Sequence, residues 1–439
     1  MTSWEEPALH SQRKVLLRIL LYGLNAAPEL TGIGKYTGEM ASWLAARGHD
    51  VHLVTAPPYY PAWRIRAGFP NRYRTEHPEP NLTVHRCPLY VPLQPSGLKR
   101  MRHLASFALS SMPVVLYQAT LQPDVVFTVE PTFFGAPASL LAASLAHAPS
   151  WLHVQDFEVD AAFDLGLLPA QGIVHAAALG LERFFTRAFD RVSSISQNMI
   201  ERVVSKGVLR SHVTSFPNWV DVEAIHPLSP EVGNCFRREL DLRGKIVILY
   251  SGNMGTKQGL EVLAPLASSF AADALKPNPE VHFLFCGDGA FRPKLEILAG
   301  HLPNVTLLPL QPLERLNELL NAADIHLLPQ RADAAGLVMP SRLTGMLSSG
   351  RPVLATATPG TRLADVISGP EPGSSLGLIV PPEDLPALRA AIVQLASAPD
   401  LRVTLGENAR RYAVRHLGRD EVLLRFEEDL QKLVSSRGR

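Results

Sequence analysis

The chain has 439 residues, 46% hydrophobic and 19% charged, with a net charge of +1. That length allows two or three domains with cores of their own, and the near-zero charge excludes a global field for recruiting nucleic acid. Cys87, Cys235 and Cys286 are too scattered for a disulfide framework or a zinc motif, and suit a reducing cytoplasm.

Residues 1–14 are polar, show no secretory pattern and are expected to form a loose tail. VLLRILLYGLN (15–25) reads as a buried strand. The loop PELTGIG follows, then a helix with Tyr36, Met40, Trp43 and Leu44 on one face, stopped by Gly48 before the strand DVHLVTA. The stretch 131–155 has no Asp, Glu, Lys or Arg, which would suit a membrane span. Its Gly135, Pro137, Pro149 and small residues point instead to a buried helix followed by the strand SWLHVQ. Prolines cluster in 216–232, the expected linker. A second strand–loop–helix opening then appears: KIVILYSGN (245–253), MGTKQG, and LEVLAPLASSF with Leu260, Leu263 and Leu266 inward and a kink expected at Pro265. The last helix, around 419–435, carries Leu423, Phe426, Leu430 and Leu433 on one stripe.

Alternating strands and helices throughout predict an α/β fold of two Rossmann-like, doubly wound domains facing across a cleft. Residues 15–222 would form the first domain and 233–415 the second, with 416–439 packing back towards the first. Ligands of such sheets bind at the carboxyl ends of the strands.

The ligand can be narrowed from the loops. TGIGKYTG gives Gly32, Gly34 and Gly38, which is not the dinucleotide spacing G-x-G-x-x-G, and the second strand ends VTAPP without the acid that holds a ribose. There is no Walker A sequence. SGNMGTKQG is better furnished: Gly252, Gly255 and Gly259 let backbone approach a ligand, Lys257 adds a charge, and the next helix offers free N–H groups. A plain turn with a solvated lysine is the alternative. In MPSRLTGMLSSG, Ser341 is expected to cap a short helix that presents its N–H groups and Arg342, a diphosphate-binding combination, and Gly350 closes it. FLFCGDG ends in Gly287 and Gly289, bare backbone against which a base could lie. Together these suit a nucleotide site without a metal. The acid-x-acid tripeptides EVD (158–160) and DVE (221–223) are a common loop pattern and weak metal candidates.

PELTGIGKYTGEMASWLAARGHDV, TAPPYYPAW, CPLYVPLQPSGLKR, HVQDFEVDAAFDLGL, SGNMGTKQGLE and MPSRLTGML resemble blocks of the retaining glycosyltransferases of the GT-B fold, family 4. They are most similar to the WcaI-type branch of colanic acid and exopolysaccharide synthesis. The resemblance implies metal-free transfer of a sugar, with GDP-fucose as donor, onto a polyprenyl-diphosphate-linked oligosaccharide, with retained configuration and no cofactor. Carried over by position, it implies donor contacts from Gly252, Asn253, Gly255, Gln258, Gly259, Gly287, Gly289, Leu310, Pro340, Ser341 and Leu343. Arg342 and Lys257 would stabilise the leaving diphosphate, Asp156 would orient the acceptor or move a proton, and Gly32, Gly34, Lys35 and Glu158 would form the acceptor and phosphate loops. His153 is a weaker candidate, more simply a satisfied strand histidine. Several positions depart from the family pattern. Two glutamates eight residues apart are replaced by Leu337 and Gly345, an arginine by Asn253, a lysine by Gln258, and a histidine by Gln155. The donor ribose is left without its usual acid.

A lipid-linked acceptor calls for a membrane route. Residues 60–105 hold Arg64, Arg66, Arg72, Arg74, Arg86, Lys99, Arg100 and Arg102 against only Glu76 and Glu79. Tyr59, Tyr60 and Trp63 precede, and apolar 104–117 follows, which suits docking on the anionic inner face of the cytoplasmic membrane. A solvated basic face over a core helix is the other reading. Rival functions are the same chemistry with another GDP- or UDP-sugar, or a catalytically silent nucleotide-sugar-binding subunit, motivated by the missing glutamates.

Overall fold

A computed structural model describes residues 15–29, 32–94, 97–130, 133–157, 172–228, 234–255, 258–271, 280–331, 340–369 and 371–437. The 1–14 tail, Glu158, Lys257 and Leu337 lie outside them. The chain divides into two compact units, one reaching Ser193 and including 203–214 and 425 onwards, the other comprising 194–202 and 215–424.

The first unit is built on strands β1 (Arg18–Gly23), β2 (Asp50–Thr55), β3 (Arg74–Glu79), β4 (Leu82–Arg86), β5 (Val125–Glu130), β6 (Ser150–Val154), β7 (Arg191–Ser194) and β8 (Val213–Ser215). They lie in the order β3-β4-β2-β1-β5-β6-β7-β8. β1, β2, β4, β5 and β6 pair in parallel, while exposed β3 is antiparallel to β4. Continuous apolar runs such as ILLYG in β1 are buried because helices cover both faces. The stretch after residue 131 is the helix Ala136–Ala146 followed by β6, and no helix of the described residues is long and apolar enough to cross a membrane.

The second unit holds β9 (Ile246–Asn253), β10 (Val281–Asp288), β11 (Val305–Leu308), β12 (Ile325–Leu328), β13 (Val353–Thr356) and β14 (Gly377–Val380), all parallel, in the order β11-β10-β9-β12-β13-β14. The chain leaves β9 towards β10 and leaves β12 towards β13, so β9 and β12 flank the topological switch point.

Three local expectations change. The helix after β9 starts at Leu263, so Pro265 is in its first turn, where its missing N–H breaks no helical bond and causes no kink. Within the expected linker, Phe216, Trp219 and Val220 are buried in the second unit, and Val220 pairs with Gly418. Gly32 opens the helix Gly32–Ala46, placing Gly34 inside its first turn instead of in the preceding loop. The last helix, Arg419–Arg437, buries Leu423, Phe426, Leu430 and Leu433. Its Phe426 packs edge-on against Phe127 and Trp151 of the first unit's sheet.

Candidate active site

At the switch point of the second unit, the seven-residue helix Arg342–Ser348 is pinned to the core by Leu343, Met346 and Leu347. That leaves Arg342 half-buried over the end of β9. Its Nη1 donates to the Tyr250 hydroxyl at 2.8 Å, its guanidinium lies over the Tyr250 ring at 4.9 Å, and its aliphatic stem would meet a Cβ at Gly252 at 3.5 Å. A longer bond, 3.5 Å, runs from Nη2 to the Pro329 carbonyl just after β12. Arg342 Nε has no partner among the described residues. A guanidinium offers five N–H donors, so this one retains capacity for an oxyanion.

The carboxyl ends of β9 and β10 are fused by close backbone approach. A side chain at Gly287 would collide with the Gly252 carbonyl, and Met254 N bonds Asp288 O at 2.8 Å. Gly289 is equally confined by Met254 and Asn253. These glycines therefore serve strand packing as well as leaving bare backbone. Gly259 has φ +65°, favouring glycine, and passes 3.0 Å from Gln330 by the same measure. A cavity of about 420 Å³ opens beside Gly259, walled by Glu261, Gln330, Arg331, Thr356 and Glu383. The side-chain oxygens of Gln258 and Gln330 are buried without a partner among the described residues. Asn253 and Leu310 are exposed, and Gly255 and Pro340 are partly so.

One expectation at the short helix needs correcting. Ser341 occupies the cap position with helical φ and ψ and makes no side-chain capping bond, so the helix opens without a serine cap. Gly345 directs its Cβ position at Leu320, 3.3 Å away. Asp221 of the DVE tripeptide is engaged by Arg419 at 2.7 Å and caps its own turn, a structural use.

The first unit's residues serve otherwise. Glu29, which sequence reading passed over, is buried: its Oε1 accepts from the backbone N–H of Tyr59 and Tyr60, both at 2.9 Å, and its Oε2 from Asn25 Nδ2 at 2.9 Å. Burial raises its pKa above the ordinary glutamate value against the pull of these donors. Gly34 packs on this carboxylate, where an added Cβ would come 2.7 Å from the Glu29 Cβ. Lys35 lies 3.9 Å from Glu39 and over the Tyr36 ring. Asp156 is exposed at the end of β6, its Oδ1 accepting from Phe157 N at 2.9 Å. His153 is fully buried, bonded to Ser193 Oγ at 2.9 Å, and burial pushes its pKa down to about 3. Arg86 and Tyr59 are not surface groups. Arg86 donates to the Ala56 and Ala27 carbonyls and to Glu76, and Tyr59 belongs to the core.

Tyr250 and Glu29 are the functional candidates that sequence reading missed. Strand alternation places Tyr250 on the same face as Gly252, a signal present in LYSGN. Of the partners of Glu29 only Asn25 is near in sequence; Tyr59 and Tyr60 lie 30 and 31 residues away and leave no local pattern.

The chain matches the Glycosyl transferase 4-like domain over residues 31–219 and the Glycosyl transferases group 1 domain over 245–398. It is 41% identical over 420 residues to glycosyl transferase WcaI of Escherichia coli (strain K12), named for colanic acid biosynthesis, covering 94% of this chain and 100% of that one. Among solved structures, sucrose-phosphate synthase from Thermosynechococcus elongatus superposes with TM-score 0.73 at 19% identity, over 96% of this chain and 100% of that one. Anabaena HepE in complex with UDP and glucose superposes with TM-score 0.66 at 14% identity, over 95% and 100%. Both share the fold. The whole-length likeness to WcaI carries the assignment: the chain belongs to the family-4 glycosyltransferases of the GT-B fold, in the WcaI-type branch.

Proposed function

We propose that this glycosyltransferase moves fucose from GDP-fucose onto a polyprenyl-diphosphate-linked oligosaccharide in the synthesis of a colanic acid-like exopolysaccharide, with retained configuration and without a metal. The observation that carries the reading is the Arg342 guanidinium, held by Tyr250 at the switch point with N–H capacity to spare. Breaking the bond from the anomeric carbon to the diphosphate puts negative charge on the leaving oxygens, and one fixed donor there contributes about 3–4 kcal/mol. Lys257 is the second cation by its place in the loop. In this reading the acceptor hydroxyl attacks from the leaving-group face, the departing phosphate takes its proton, and Asp156 orients the acceptor. The unpartnered amide oxygen of Gln330, a residue that walls the 420 Å³ cavity, suits a hydroxyl of a sugar. Fucose and GDP rest on the likeness to the WcaI-type enzymes.

The lipid-linked acceptor places the enzyme on the inner face of the cytoplasmic membrane. The helix Gly97–Thr120 supports this: Leu98, Leu109, Met112 and Tyr117 are exposed along it, and exposed Lys99, Arg100 and Arg102 follow its first residues. Apolar residues beside cations suit an anionic leaflet.

A titration in EDTA with GDP, UDP, ADP and NAD tests the donor. Selective GDP binding supports the assignment and leads to an assay with GDP-fucose. A preference for UDP removes fucose, and binding of NAD alone overturns the site. Sedimentation with anionic but not zwitterionic vesicles is the expected membrane result.

A further inference from the structure

We propose that Tyr250 is the positioning residue of the donor site, its hydroxyl locking the Arg342 guanidinium to the backbone of the donor loop so that a nucleoside diphosphate meets a pre-oriented cation. The inference rests on the donor-site reading above and adds to it a residue that touches no substrate. The directions of its two hydrogen bonds are fixed by chemistry. A guanidinium only donates and a carbonyl only accepts, so the hydroxyl accepts from Arg342 Nη1 at 2.8 Å and gives its proton to the Asn253 carbonyl at 2.7 Å. Burial raises the phenol's pKa, opposed by Arg342, which keeps that proton in place at neutral pH.

The ring and the hydroxyl do separate things. The ring is part of the core formed by β9 and the helix Leu263–Ala271, and it supports the guanidinium from below at 4.9 Å. The hydroxyl joins the cation to the loop's first peptide, whose other side is fixed by the bond from Met254 N to Asp288 O. An arginine held in this way loses less rotamer freedom when it takes up an anion. The arrangement matters here because Asn253, at the end of β9, is uncharged, while the guanidinium of Arg342 lies over the Tyr250 ring beside it.

Tyr250→Phe keeps the ring and removes only the hydroxyl. Calorimetric titration of the full chain with GDP, UDP and ADP in EDTA should show the diphosphate that binds the wild type bound about ten- to a hundredfold more weakly. Affinity for the matching nucleoside, which has no phosphate, should be unchanged, and the unfolding temperature should move by only a few degrees. In an Arg342→Ala background the same substitution should change affinity by less than about twofold, since it acts through the arginine. Wild-type affinity in Tyr250→Phe, or losses that simply add to those of Arg342→Ala, would overturn the inference while leaving the donor site intact. A wild type that binds none of the three diphosphates overturns the donor site itself and this role with it. Should Tyr250→Phe not fold, ¹⁵N NMR of wild-type arginine side chains decides. The Arg342 guanidinium signal, assigned by its loss in Arg342→Lys, should be protected from exchange, and an unprotected signal overturns the anchor.

Discussion

The two strand–loop–helix openings, at the ends of β1 and β9, begin alike and use their glycines and charges differently. At β1, the buried Glu29 carboxylate is occupied by two backbone N–H groups and Asn25, and Gly34 is small because it packs against that carboxylate. At β9, Gly252 holds a φ of +128° that favours glycine, the arm of Arg342 passes within ordinary contact of it, and the guanidinium keeps donors beyond those that Tyr250 and Pro329 take. One opening uses its charge to hold its own loop, while the other keeps charge available for a ligand. A glycine-rich turn after a strand is therefore a shape, and the partners of the nearest charge decide its role.

Replacing the available charge should have the largest effect. Arg342→Ala is expected to lower sugar transfer by about 10²–10³-fold with little change in folding, read from single-turnover donor consumption. An equal loss from Lys35→Ala would move the electrostatic centre to the first opening and break the comparison. Next comes Gly34→Ala, expected to cost about 1–3 kcal/mol in denaturant unfolding because its methyl group enters the Glu29 side chain. Gly345→Ala sharpens the contrast: a gain of about 1 kcal/mol in helix propensity offsets the 3.3 Å contact with Leu320, leaving stability near wild type.

Both units bury histidines held neutral, among them His153 bonded to Ser193 and His326 bonded to Ser349, and burial pushes the pKa values of these two down to about 3. In the unfolded chain they titrate near 6.5, so the unfolded state binds more protons between these values. Stability is therefore full above pH 6.5 and falls as pH drops from 6.5 towards 3, and equilibrium unfolding across that window should show both units weakening. Acid sensitivity confined to one unit would show that the other's histidine is not held neutral. The smallest effect is expected from Ser341→Ala, within about 0.5 kcal/mol of wild type. A loss near the ~1 kcal/mol typical of a serine cap would mean that the hydroxyl does cap the helix.

Much of the candidate site was legible in the sequence because it is local. Gly252, Gly259, Gly287 and Arg342 sit next to strand ends that apolar runs mark plainly, and the family motifs run through them. What was not legible came from contacts between distant segments. Arg86 and Tyr59 read as members of a basic, aromatic surface, yet Arg86 is held by carbonyls 30 and 59 residues away and Tyr59 lies in the core. Ser341 read as a cap from residue type alone, and its backbone angles decide otherwise.

The sequence by itself determined the α/β alternation, the two openings and the glycosyltransferase family, since hydrophobic period and motif spacing are properties of neighbouring residues. Only the tertiary structure decided which charges remain available for a ligand. That depends on strand order and on pairs such as Tyr250 and Arg342, 92 positions apart, which meet because β9 and β12 flank the switch point.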